Sequence, residues 1–124
     1  MTRPIICALG AISFFAMAPS VLAQSAPPSY QGDPDVYIVI FEDANFRVIS
    51  VNRRKGVTDK AHSHPVPGII YNVNDCSTRI RAANGQTRDA VGKAGTARAT
   101  PIVSSHTAEN TGSTDCHQII VERK

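Results

Sequence analysis

From residue 36 to the C-terminus, short β-branched and aromatic runs alternate with turn signals about every eight to twelve residues, and no window holds a helical period. The spacing predicts strands over 36–41, 46–51, 69–73, 77–82, 87–91, 97–100, 104–109 and 118–122. Asn84-Gly85 between two of these runs is the strongest short-range hairpin signal, and Gly92-Lys93-Ala94-Gly95 marks another turn. Many short strands at even spacing mean an all-β sandwich or barrel. With no Trp in the chain, its core must come mainly from Val, Ile and Ala.

The 124 residues suffice for one domain, which excludes two-domain enzymes, solenoids and long coiled coils. Residues 1–23 read as a signal peptide: Arg3, then an apolar run over 5–21, then Val21-Leu22-Ala23 before Gln24. The other reading is an uncleaved anchor, since a run of roughly 17 residues is at the lower limit for crossing a bilayer. Pro19 and the Ala23-Gln24 boundary favour cleavage, hence a periplasmic or secreted protein with no membrane attachment. Without Arg3, twelve basic residues face ten acidic ones, too even a balance for a nucleic-acid binder. Residues 24–35, rich in Pro and Ser, read as a flexible linker, and 36–124 as the folded domain.

The chemistry concentrates in two segments. In Gly56-Val-Thr-Asp-Lys-Ala-His62-Ser-His64 the imidazoles stand at i and i+2, so on a strand they share a face and suit one metal ion. Alone, the pair reads equally as two solvated side chains on a surface strand. The third residue of interest is His106, eleven positions after Gly95.

Together the segments resemble the paired motifs of the cupin superfamily. Gly56, His62 and His64 fit the first motif, and Gly95, Pro101, His106 and Asn110 fit the second, with Val103 where Gly is usual. The hairpin-bearing gap between them is also of cupin length. The resemblance spans roughly residues 41–124 and is to small single-domain cupins. It implies a jelly-roll β-barrel (double-stranded β-helix) of six to eight strands, with a divalent transition metal held by His62, His64 and His106. The motif's Glu ligand falls on Gly68 or Ile69, and its closing Gly on Asp75 or Cys76, so the carboxylate is missing.

A three-imidazole site with open positions is sound chemistry for Zn, Fe, Mn, Ni or Cu. Neutral ligands leave the ion's charge uncompensated, which favours an anionic ligand or hydroxide. Because the ligands must be neutral, affinity is expected to fall as pH drops through about 6.5.

If Ile69 takes the Glu position, Tyr71 shares its inward face and is a candidate substrate donor, or merely fills the barrel. Ile80 is expected inside, with Arg79 and Arg81 solvated, and Arg53-Arg54-Lys55 is expected to be a solvated turn. Glu109 alternates away from His106, and His117 is expected to be exposed. Once the leader takes Cys7 away, Cys76 and Cys116 remain, an even count for an oxidising compartment. The jelly roll sets the strand ending near Cys76 beside the last strand, so the resemblance implies a disulfide between them.

Three functions fit. The first is a metal-dependent small-molecule enzyme of dioxygenase, isomerase or lyase type. The second is a non-catalytic module holding a small ligand or a metal. The third is an apo structural barrel acting as a homodimer. No second acid–base constellation accompanies the histidines.

Overall fold

The computed structural model describes residues 24–124, so the signal peptide read in 1–23 lies outside the described residues. The chain is nearly all β. Its elements are α1 (Ser29–Gly32), β1 (Tyr37–Glu42), β2 (Phe46–Arg53), β3 (His62–His64), β4 (Gly68–Asn72), β5 (Cys76–Ala82), β6 (Thr87–Gly92), β7 (Ala97–Thr100), β8 (Val103–Asn110) and β9 (Cys116–Arg123). They form a five-stranded sheet, β1-β2-β9-β4-β7, facing a four-stranded one, β3-β8-β5-β6. These nine strands exceed the expected six to eight, because the His-x-His segment forms a short strand of its own. Among the described residues no helix is long and apolar enough to cross a membrane.

Alternation builds the core. Ile49 and Val51 of β2, Ile70 of β4 and Ile120 of β9 turn inward and meet Val36 and Tyr37. Each such aliphatic side chain contributes about 1.5–3 kcal/mol by leaving water. The same inward rows carry polar groups, since Asn72, Gln118 and Glu122 are also buried. Asn72 Oδ1 accepts from Gln118 Nε2 at 2.8 Å. A Cβ at Gly92 would collide with the Asn72 amide, so Gly is required where this strand crosses over it. Asn110 Nδ2 donates to the carbonyls of Arg53 and Thr114, and its Oδ1 accepts from Gly112 N, each at 2.9 Å.

The Cys76–Cys116 disulfide is present, with Cα atoms 5.1 Å apart. Cys76 opens β5 and Cys116 opens β9, so the bond ties one sheet to the other.

Residues 24–35 depart from the expected linker. Ser63 N donates to Pro27 O at 2.8 Å and Ala26 N to Ser104 O at 2.9 Å. Ser29 and Asp33 are buried, and Tyr30 packs on the core and under Arg47. Pro and Ser composition points to a tether, yet here the segment lies beside β3 and β8, bridging Pro28 to Ser63 and exchanging one donor and one acceptor with the sheet.

Candidate metal centre

His62 lies opposite His106 in the β3–β8 ladder, whereas His64 lies opposite Val103. The register slips by one residue between them, a bulge of the kind that re-aims side chains near functional sites. Ring centroids of His62, His64 and His106 are 4.6–5.1 Å apart. One ligand nitrogen from each falls within 4.8 Å of the others, the one such group among the described residues. His62 and His64 are buried, and His106 is half-buried.

The hydrogen bonds fix which nitrogens are free. A carbonyl only accepts, so His62 Nδ1 carries the proton it donates to Lys60 O at 2.8 Å. Its Nε2 therefore presents a lone pair, 3.0 Å from His106 Nε2. Without a cation, His106 must donate to it. A cation held between them would instead take up both lone pairs. His64 Nδ1 is buried with no hydrogen-bond partner. An ordered Nδ1–H on one imidazole and an orphaned nitrogen on another fit a metal ligand set. Burial, chiefly, holds His64 down to about 4 and His106 to about 3. Both stay neutral, as ligation requires, well below the pH of about 6.5 expected for an ordinary imidazole.

A buried network backs this triad. Asp59 Oδ2 accepts from Tyr37 OH at 2.6 Å and from Arg53 Nη2 at 2.8 Å. Its Oδ1 accepts from Ala108 N at 2.6 Å and stands 3.7 Å from His62 Nδ1. Arg53 Nη2 also donates to Tyr37 OH at 2.7 Å. Burial pushes the Tyr37 phenol far above its usual range, so it remains a donor. The Tyr37 ring lies 4.7 Å from that of His62. Arg53, expected in a solvated turn, is thus 3% exposed. Its inward seat continues the row of Ile49 and Val51, a signal that alternation carried. Tyr37 and Asp59 came with no such signal, because their roles depend on contacts distant in sequence.

Tyr71 is corrected as well. In β4 the inward residues are Gly68, Ile70 and Asn72, so Ile69 and Tyr71 are exposed on the outer face. Tyr71 is not brought to the histidines. Nor is there a carboxylate at Gly68, where a Cβ would stand 2.8 Å from Val121 O and 2.9 Å from Thr100 Oγ1. Glu122, directly across from Gly68, is turned to Arg47 at 3.2 Å instead. Burial raises the pKa of Glu122 against that pairing. Arg79 is exposed beside Asp89, Ile80 is buried and His117 is exposed, as expected.

A cavity of about 50 Å³ between the sheets is lined by His64 and His106 together with Thr78, Gln118, Arg88 and Arg98. A small molecule entering it would meet the imidazoles.

No family model matches the sequence, and no curated protein matches it. Among solved structures, the chain is similar to a cupin domain from Bordetella pertussis Tohama I at 14% identity, with TM-score 0.66, covering 82% of this chain and 99% of that one. It is similar to a protein with a double-stranded β-helix domain from Klebsiella pneumoniae at 20% identity and TM-score 0.55, over 71% of this chain and 76% of that one. It is also similar to a cupin-2 domain protein from Shewanella frigidimarina at 16% identity and TM-score 0.50, over 71% and 79%. These likenesses are of fold.

Proposed function

On the premise that the chain is a small cupin-type domain, we propose that it is an exported metal-dependent enzyme acting on a small molecule. The carrying observation is the convergence of three imidazoles on one buried point beside a cavity, with His62 Nδ1 tied back to Lys60 O. His62, His64 and His106 would hold a divalent transition metal. Such an ion would supply Lewis acidity. The chain's own part is to keep the imidazoles neutral, to hold His62 in one tautomer through Lys60 and to tie the segment before β3 to β8, the strand of His106, through Asp59. The absence of a carboxylate from this set leaves the bound ion with its full charge and favours an anionic reactant.

Calorimetric titration of metal-free chain with zinc, copper, nickel, iron and manganese tests the site. Binding is expected to be tightest for copper or zinc. His62→Ala, His64→Ala and His106→Ala should each weaken it about 100-fold, and His117→Ala should leave it unchanged. Equal loss in His117→Ala, or wild type that binds nothing below millimolar metal, rejects the centre. Tight binding with no metal-dependent turnover of any small molecule favours the non-catalytic module. Export is tested separately. The intact mass of the periplasmic protein should begin at Gln24, and a membrane-bound chain retaining residues 1–23 would reject it.

A further inference from the structure

Two arginines reach the cavity from opposite sheets. Arg88 of β6 stands directly across from Ile80, and Arg98 of β7 directly across from Ile70. Opposed residues of antiparallel strands share a face. Ile80 and Ile70 are both buried, so Arg88 and Arg98 stem from the cavity-facing sides of their strands, and both side chains remain exposed at the cavity's rim. Strands β6 and β7 are the edges of their sheets, and both arginines line the cavity with His64 and His106.

Their charges are not answered within the protein. Among the described residues no carboxylate lies within 4.0 Å of either guanidinium, whereas Arg47, Arg53 and Arg79 are each paired. The cavity lining contains no Asp or Glu. Burial, and then the charge of Arg88, lower the pKa of Arg98, and both arginines add to the field on the imidazoles. Two guanidiniums without a carboxylate partner line one cavity with Ile70, Ile80 and Ile120, a combination that suits a planar anion with a short aliphatic body.

We propose that this cavity takes a small carboxylate, its charged end held by Arg88 and Arg98 and its body lying toward the three histidines. This names the ligand class for the metal-site reading and rests on it for the ion at the inner end. Inward charge on edge strands can also serve to block edge-to-edge pairing, a role that needs no ligand.

Calorimetry with pyruvate and succinate as probes, against pyruvamide and succinamide, separates these roles. Zinc-loaded and metal-free chain are titrated in parallel, with thermal unfolding of every variant as a check on folding. Zinc-loaded wild type is expected to bind a carboxylate at least about tenfold more tightly than its amide. Arg88→Gln and Arg98→Gln should each cost about tenfold and the double variant about a hundredfold, while Arg81→Gln on the outer face of β5 changes nothing. The proposal is overturned if the amides bind equally well, if the double variant matches wild type, or if it only self-associates with unchanged carboxylate affinity. Should a variant unfold, the acid-to-amide ratio on wild type decides. Wild type that takes up no zinc rejects the metal reading alone; arginine-dependent succinate binding to the metal-free chain would then uphold the fork, and its absence would reject it.

Discussion

The two ends of the barrel are both polar, yet they treat polar atoms in opposite ways. At the disulfide end Asn72, Gln118 and Asn110 are buried, and their amides find partners within the chain. At the histidine end His64 Nδ1 is orphaned and Arg88 and Arg98 lack carboxylates among the described residues. Closed polar networks hold a fold together, whereas a buried atom with no partner, such as His64 Nδ1, adds nothing to it. Stability should therefore reside at the first end and ligand chemistry at the second.

The sharpest way to break this contrast is to open the disulfide. Cys76→Ser with Cys116→Ser releases a loop of 40 residues and should cost about 4 kcal/mol in denaturant unfolding, with metal affinity retained by whatever chain remains folded. A loss below about 1 kcal/mol would show that this end does not carry the fold. Next comes Asp59, which links the two ends. Asp59→Ala strands the buried Arg53 guanidinium and should cost about 3 kcal/mol, with weaker metal binding through a loosened His62. Unchanged stability and unchanged affinity together would dissociate the network from the site.

At the histidine end, acid is the lever. His64 and His106 have pKa values depressed by burial, so on acidification the unfolded chain takes up protons first. Their contribution is full above about 6.5 and is lost as pH falls toward the folded values. Metal-free chain should lose about 2 kcal/mol between pH 6 and pH 5, beyond what a His64→Leu/His106→Leu variant loses. Parallel curves for the two proteins would contradict the depressed values. The smallest effect is expected where charge is unpaired. Arg88→Gln with Arg98→Gln should change unfolding stability by less than about 0.5 kcal/mol, because relief of like charge offsets the little packing lost. A drop of several kcal/mol would make these arginines part of the fold instead.

Much of this was legible in the chain. Alternation and turn residues place the strands, and the Asn84-Gly85 hairpin forms, Gly85 taking φ of +84°. His62 and His64 share a face because their spacing matches the pleat, and the β3–β8 register brings His106 opposite His62. Parity was less legible in β4, where Ile69, Ile70 and Tyr71 are all apolar and a one-residue shift exchanges the two faces. Placing Ile69 inward carried Tyr71 with it, and the buried Asn72 shows the opposite parity. Arg88 and Arg98 were readable in principle, since the hairpin fixes Arg88 against Ile80. A strand-by-strand reading treats arginine as solvated and so passes over them. Asp59 could not be read at all, because its partners Tyr37, Arg53 and Ala108 come from three separate strands.

The tight seat at Gly68 bears on how this site can change over generations. A side chain there meets the backbone carbonyl of Val121, which cannot swing aside as a flexible side chain would. Placing a glutamate at that position therefore takes more than one mutational step: β9 must first shift, and Thr100 must shrink or turn away. Each intermediate carries the steric cost without the ligand. The three-histidine arrangement without a carboxylate is thus entrenched by its scaffold.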